Sequence, residues 1–155
     1  MTTAKVYKSF ATNYRLVAEP NTQFNKIKVV SSTQIADYLR QIWAADGSME
    51  IVESFFLLLL NQSNNITGWV KISSGGVTGT VADPIIIAKY AVEQLAKKVV
   101  IAHNHPSGNL QPSRADEEVT QKIKNGLKFL DITLLDHIIL TDESFYSFAD
   151  EGLLY

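Results

Sequence analysis

The 155-residue chain is 46% apolar and 19% charged, carries a net charge of −2 and contains no cysteine. This composition is typical of one globular domain and excludes a largely disordered chain. The lack of cysteine excludes disulfides, thiolate zinc sites and a cysteine nucleophile, so a metal site would have to use His, Asp or Glu. The negative charge gives no overall positive field, so the sequence does not support a nucleic-acid partner.

The apolar segments are too short to predict a membrane span. The longest strictly apolar run, FFLLLL at 55–60, is far below the roughly 20 residues that cross a bilayer. The N-terminus also lacks the hydrophobic segment of a signal peptide. We therefore expect a soluble cytoplasmic protein without membrane contact, and the sequence indicates no oligomeric state.

A strand followed by a helix is predicted near the start of the periodic region. The segment KIKVV at 26–30 predicts the strand. TQIADYLRQIWAA at 33–45 has its apolar residues at near-helical spacing. Ser31 or Ser32 can cap this helix, and Asp46-Gly47 predicts its end.

The middle of the chain predicts two buried strands and one helix. ESFFLLLLNQ at 53–62 is apolar on both faces, as expected of a central strand, and ITGWVKISSGG after the turn NQSNN predicts its hairpin partner. Asp83-Pro84 predicts a helix start, and helical periodicity continues through IIIAKYAVEQLAKK to residue 98. VVIA at 99–102 predicts a second buried strand that ends directly at His103.

The C-terminal part continues the alternation of helix and strand. Ser113 precedes a polar helix predicted over 114–128, ITLLDHIIL predicts a further strand, and FYSFADEGLL predicts a short closing element. No repeat or linker divides the chain, and we interpret residues 1–26 as an N-terminal extension. The pattern predicts an α/β fold with a mixed β-sheet sandwiched by helices.

The segment HNHPSGNLQPSRAD at 103–116 has the residues of a metal site. His103 and His105 are separated by one residue, so in an extended backbone both side chains point to the same face. Pro106 favours that extended state for His105. Two imidazoles suit zinc but need a third ligand. Asp116 is the nearest candidate, with Glu117 and Glu118 as weaker choices.

The same acid can equally belong to a helix cap. Ser113 and Asp116 fit the S-x-x-D/E capping pattern, in which the serine caps the helix and the acid hydrogen-bonds back to it. From these two residues alone we favour capping over metal binding. Spacing therefore leaves a two-histidine site whose third ligand is open.

The complete spacing of His103-x-His105, seven residues, and Ser113-x-x-Asp116 is similar to the JAMM pattern of JAB/MPN+ metallopeptidases. AHNHPSGNLQPSRAD, together with LLDHIIL and YSFADEGLL, resembles the RadC family of bacterial JAB-domain proteins, from about residue 27 to the C-terminus. The resemblance implies a JAB/MPN domain of cytidine deaminase-like architecture over 27–155. It also implies one zinc ion held by the two histidines and Asp116, with Ser113 donating to the oxyanion.

The resemblance further implies a general base upstream of the histidines. In such proteins a glutamate at the start of a strand takes a proton from the metal-bound water, and Glu53 in ESFFLLLLNQSNN matches that position, with Glu50 as the fallback. Taken without the resemblance, Glu53 is more simply a solvated carboxylate at the start of a strand. Asp136 and His137 match another recurrent family feature, and we assign them first to strand packing or to hydrogen bonds behind the ligands.

Two departures from the family bear on function. Many RadC relatives carry a helix-hairpin-helix region before this domain, and 26 residues are too few for one, which weakens a DNA-binding role. Ile85 stands where the family usually has arginine. The leading hypothesis is a zinc-dependent peptidase or isopeptidase acting on a protein or peptide. The alternatives are a DNA repair or recombination accessory protein and a metal-bound interaction module without catalysis.

Overall fold

The computed structural model describes residues 27–75 and 82–154. Its order of elements alternates helices and strands much as the sequence predicts. The elements are α1 (Ser32–Asp46), β1 (Ser54–Leu60), β2 (Ile66–Ser74), α2 (Pro84–Glu93), β3 (Lys98–Asn104), α3 (Arg114–Lys128), β4 (Thr133–Leu140) and β5 (Phe145–Ser147). The predicted N-terminal extension at 1–26 lies outside the described residues, so its assignment stays a prediction.

The five strands form one mixed sheet in the order β2-β1-β3-β4-β5. β1 is antiparallel to both of its neighbours, β3 and β4 are parallel, and β4 and β5 are antiparallel. The parallel pair needs a crossover, which α3 supplies, and this brings the start of α3 to the end of β3 where the histidines lie. The α/β class with a mixed sheet is therefore confirmed.

Helices cover both faces of the sheet, which explains why β1 is apolar throughout. Its residues Phe56, Leu58 and Leu60 belong to a buried cluster with α1, which contributes Leu39 and Trp43. The alternate residues of β1 belong to a second cluster that includes side chains of α2 and α3. All seven residues of β1 are buried, as a period of two with both faces covered requires.

Two helix caps match the sequence signals. Ser31, rather than Ser32, caps α1 by accepting a hydrogen bond from the Gln34 N–H, and Gly47 ends this helix in the left-handed conformation at φ 74°. Asp83 caps α2 and accepts from the Ile85 N–H. Among the described residues, no helix has both the length and the apolarity to cross a membrane.

Two predicted elements were wrong at their boundaries or in kind. KIKVV at 26–30 forms no strand in the described part, only an isolated bridge between Lys28 and Asn65, because α1 begins directly after its cap at Ser31. The helix from Pro84 ends at Glu93 rather than near 98.

The early end of α2 has a visible cause in the backbone. Leu95 takes a positive φ of 52°, and the Ala96 N–H donates to the Ala91 carbonyl at 2.8 Å. The chain then turns to the sheet, where the Lys97 N–H donates to the carbonyl of Leu60 at 3.0 Å. β3 in turn extends past the predicted VVIA to Asn104, so His103 lies inside a strand rather than after one.

Candidate metal centre and active site

His103 and His105 come to one face at the end of β3 because their side chains alternate with that of Asn104. His103 is paired with Phe55 on one side and with Ile139 on the other, and only 1% of its surface is exposed. The His105 N–H continues the pairing by donating to the Leu140 carbonyl at 2.9 Å. The Nε2 atoms of the two histidines lie 2.9 Å apart.

Asp116 completes the cluster from the first turn of α3. Its Oδ1 is 3.3 Å from His103 Nε2, and its Oδ2 is 3.9 Å from His105 Nε2. The three residues each offer one ligand atom within 4.8 Å of the others, and they are the one such group of acids and histidines among the described residues. Two ligands at 2.0–2.1 Å from a tetrahedral zinc lie about 3.3 Å apart, so the cluster has the dimensions of a metal site.

The loop after β3 fixes the ring of His105. Its Nδ1 lies 2.5 Å from the carbonyl oxygen of Asn109, which can only accept a hydrogen bond. Nδ1 of a neutral His105 therefore carries the proton and Nε2 keeps its lone pair, facing Asp116. A backbone carbonyl behind a histidine ligand is a common way to orient the ring and set its tautomer.

His103 is packed between aromatic rings and a second histidine. The ring of Phe55 stacks on it with centroids 5.9 Å apart, and its Nδ1 lies 2.8 Å from Nε2 of the fully buried His137. Burial lowers the pKa of His103 to about 4, against an opposing effect of Asp116, and lowers the pKa of His137 well below its usual value. Both rings are therefore neutral at pH 7, the state in which imidazole binds metals.

Ser113 and Asp116 form the predicted capping box. The Asp116 N–H donates to Ser113 Oγ at 3.1 Å, while both the Ser113 N–H and its hydroxyl donate to Asp116 Oδ2, at 2.7 and 2.6 Å. Capping thus uses Oδ2 of the carboxylate and leaves Oδ1, which faces His103, as the candidate ligand atom. Asp116 can therefore serve both as part of the helix cap and as a candidate metal ligand, which the spacing of the sequence does not indicate.

Glu53 lies on the same cavity as His103 and Asp116, whereas the fallback Glu50 lies on a second cavity that includes His105. The cavity has a volume of about 210 Å³ and is lined by Glu53, Phe55, Ala82, His103, Ala115, Asp116 and Val119. Glu50 is exposed and lines a separate cavity of about 220 Å³, together with His105 and the turn after β4. Glu53 is the better-placed carboxylate for a proton transfer beside His103 and Asp116.

Asn104, which no motif in the sequence singles out, holds the segment that leads to Glu53. Its Nδ2 donates to the carbonyls of Met49 and Val52 at 2.7 and 2.9 Å, and its Oδ1 accepts from the Ser54 N–H at 2.7 Å. Asn104 is fully buried. The middle residue of His-Asn-His therefore ties the end of β3 to the backbone on both sides of Glu53. Strand alternation, which points Asn104 away from the histidines, was the available signal.

Gly75 fits closely against the backbone of Glu53. Its N–H donates to the Glu53 carbonyl at 2.6 Å, and a Cβ at this position would stand 2.9 Å from that carbonyl oxygen. Only glycine allows this approach without a shift of the chain.

Asp136 and His137 point to opposite faces of β4 and have separate structural roles. Asp136 accepts from the Ser147 hydroxyl at 2.6 Å and the Ala149 N–H at 3.0 Å, so it holds the closing segment rather than the site. Burial raises the pKa of Asp136, against these stabilising hydrogen bonds. His137 is the residue of the pair that lies behind a candidate ligand.

Comparisons with known proteins give matches over most of the chain. A family model described as RadC-like JAB domain matches residues 29–153. UPF0758 proteins of Flavobacterium johnsoniae and Shewanella baltica are 44% and 35% identical to the chain over 101 and 139 residues, which is 65% and 89% of its length. These matches cover 44% and 59% of the two relatives, so the chain spans about half the length of the curated relatives it matches.

Proposed function

The chain belongs to the RadC-like JAB domain family, and on that basis we propose that it is a zinc-dependent hydrolase of amide or isopeptide bonds in a protein or peptide substrate. The supporting observation is that the three candidate ligand atoms lie within 4.8 Å of one another and that two of these residues, His103 and Asp116, border one cavity with Glu53. A His₂Asp donor set suits a catalytic zinc that keeps a position for water. We retain the cytoplasm as the proposed compartment.

Each residue has a defined task in this proposal. His103, His105 and Asp116 would hold the ion, which when bound lowers the pKa of its water to about 7 and polarises the scissile carbonyl. Glu53 would accept the proton of that water and deliver it to the leaving amine. A binding module without catalysis would need no carboxylate on the same cavity, and this favours hydrolysis over that alternative.

Ser113 is proposed as the donor to the oxyanion that forms on the carbonyl. Its hydroxyl hydrogen bonds to Asp116 Oδ2 in the capping box, so a change of hydroxyl direction has to accompany this step. The Ser113 N–H also donates to the same oxygen at 2.7 Å, so Asp116 keeps one hydrogen bond from this residue when the hydroxyl turns.

The test is zinc-dependent cleavage of a panel of peptides and isopeptides, with Glu53→Gln and Glu50→Gln as a matched pair. We expect Glu53→Gln to lower kcat by about 10²–10⁴ through the loss of a general base. Glu50→Gln should retain turnover, because its cavity includes neither His103 nor Asp116. Equal activity of Glu53→Gln and the parent protein would remove the base assignment, and a selective loss in Glu50→Gln would transfer it.

The remaining alternatives have their own readouts. Tight zinc binding with no cleavage across the panel would favour an interaction module. Salt-dependent binding of duplex DNA at micromolar protein would favour the DNA repair alternative, against which the net charge of −2 argues.

A further inference from the structure

All three histidines of the chain lie in one row of polar contacts that ends on the helix carrying Asp116. His103 Nδ1 is 2.8 Å from His137 Nε2, and His137 Nδ1 is 2.5 Å from Thr120 Oγ1. Thr120 Oγ1 is in turn 2.5 Å from the carbonyl oxygen of Asp116, one helical turn earlier. His103, His137 and Thr120 are at most 1% exposed. Protein atoms, rather than bulk water, therefore set the direction of these hydrogen bonds.

The Asp116 carbonyl determines that direction. A carbonyl oxygen can only accept, so the single hydroxyl proton of Thr120 is donated to it. Thr120 Oγ1 must then accept from His137 Nδ1–H. A neutral imidazole has one proton, so His137 Nε2 is left with a lone pair, and it accepts from His103 Nδ1–H.

The consequence appears at the other nitrogen of His103. With its proton on Nδ1, Nε2 has a free lone pair 3.3 Å from Asp116 Oδ1 and 2.9 Å from His105 Nε2. We propose that Thr120 and His137 are positioning residues which fix the tautomer of His103 and thereby make its Nε2 a metal ligand. The inference rests on the metal site of the proposed function but not on hydrolysis.

Hydrogen bonds that ran in the opposite direction along this row would leave His103 Nε2 unable to bind a metal. His103 would then carry its proton on Nε2 and donate it to Asp116 Oδ1, and the cluster would be satisfied without a cation. That arrangement requires Thr120 to donate to His137, which leaves Thr120 Oγ1 and the Asp116 carbonyl as two acceptors 2.5 Å apart. α3 thus contributes both the candidate carboxylate ligand of Asp116 and the Asp116 carbonyl, which sets the tautomer of His103.

The first experiment reads the tautomers directly. Long-range ¹H–¹⁵N correlation spectra of the full chain with labelled histidine should contain three ring systems, recorded without metal and with Zn²⁺ at neutral pH. The decisive ring is His137, which is not a ligand and should carry its proton on Nδ1 in both samples. A proton on Nε2 of His137 would overturn the proposal, since the row would then run in the opposite direction.

The second experiment removes the hydroxyl that sets the direction. Thr120→Val keeps the shape of the side chain, and we expect it to weaken Zn²⁺ binding by about 10- to 100-fold, as losses of hydrogen bonds behind metal ligands do. Thr120→Ser restores the hydroxyl and should restore most of the affinity. Thr67→Val is the matched control, because the Thr67 hydroxyl also donates to a backbone carbonyl, that of Leu59, at the other end of β1.

Affinities would be measured by competition with a chromophoric chelator, with amide spectra checking the fold of each variant. Affinity unchanged in Thr120→Val, or an equal loss in Thr120→Ser, would contradict a role for the hydroxyl. If Thr120→Val fails to fold, the spectra of the parent protein still decide the tautomer of His137. Expected tautomers and affinities with no cleavage would reject the proposed hydrolase alone, whereas cleavage with His137 protonated on Nε2 would reject this inference alone.

Discussion

The histidine side of the candidate site and its Glu53 side are held in different ways. On the histidine side, the side chains of His103, His137 and Thr120 contact one another in a buried row, so the functional groups themselves are fixed. On the Glu53 side, Asn104 holds the backbone on either side of the glutamate, whose side chain borders a cavity.

The difference separates two properties that the proposed metallohydrolase would need. Ligand atoms must be oriented before the ion arrives, because their alignment sets its affinity. A general base needs access to water and substrate, and Glu53 borders a cavity while the residues on either side of it are bonded to Asn104. We therefore expect changes on the histidine side to act mainly on metal affinity and changes on the Glu53 side mainly on turnover.

The largest loss of stability at neutral pH is expected for Asn104→Ala. This change leaves the Ser54 N–H and the carbonyls of Met49 and Val52 without their partner. The Ser54 N–H bond is buried and the two carbonyl bonds are partly buried, so at about 1–3 kcal/mol for a buried group left unsatisfied the free energy of unfolding should fall by about 3 kcal/mol. Turnover of the zinc-loaded protein should fall at least tenfold, because Glu53 loses its support. Urea unfolding and steady-state kinetics measure the two effects.

A matched control for this variant is Asn61→Ala. Asn61 also accepts backbone hydrogen bonds, from Ser63 and Asn65, but in the turn at the far end of β1. It should lose stability without losing turnover. A larger loss of Zn²⁺ affinity in Asn104→Ala than in Thr120→Val would contradict the division of metal affinity and turnover between the two sides. An unchanged kcat in Asn104→Ala would contradict it as well.

Ser113→Ala tests the catalytic role proposed for the serine that caps α3. If the hydroxyl stabilises the oxyanion, its loss should lower kcat by about 10²–10³. The capping role should cost about 1 kcal/mol of stability. Ser31→Ala is the matched control, since Ser31 caps α1 in the same way. Equal losses of stability in both variants, with normal turnover in Ser113→Ala, would leave Ser113 as a cap alone.

The parts of the fold that follow from local patterns could be predicted from the sequence. α3 begins and ends where Ser113 and the helical periodicity predict, and β1 is buried on both faces as its unbroken apolar run indicates. The shared face of His103 and His105 also follows from their spacing, whereas spacing left the third ligand open and the family resemblance implied Asp116, which lies beside the two histidines.

The parts that depend on distant contacts could not be predicted in this way. Asn104 binds backbone about fifty residues earlier, and Thr120 meets His137 only because α3 packs against β4. The segment at 26–30 has strand-like residues but only a single bridge to pair with, and the periodicity after Pro84 does not include the turn at Leu95. In each case the outcome is set by a partner that a local pattern does not contain.

The effect that is smallest at neutral pH, and grows only on acidification, is a pH dependence of stability that belongs to the histidine side. The folded pKa of His103 is lowered to about 4 and that of His137 is also lowered, both mainly by burial, so the unfolded chain binds protons that the fold excludes. Stability of the metal-free protein should therefore be full above the unfolded pKa of about 6.5. It should fall as the pH drops toward 4, by about 1.4 kcal/mol per pH unit for each ring that stays neutral.

Asp136 acts in the opposite direction, because its raised folded pKa adds stability at low pH that is lost as the pH rises. A comparison of the parent protein with His137→Gln cancels this contribution. Glutamine can still accept from His103 Nδ1–H but does not titrate, so the variant should lose stability less steeply between pH 6.5 and 5. Urea unfolding with EDTA measures both slopes. Parallel slopes would mean that His137 takes up a proton in the fold, and the buried row would then not be held in the neutral form that a metal site requires.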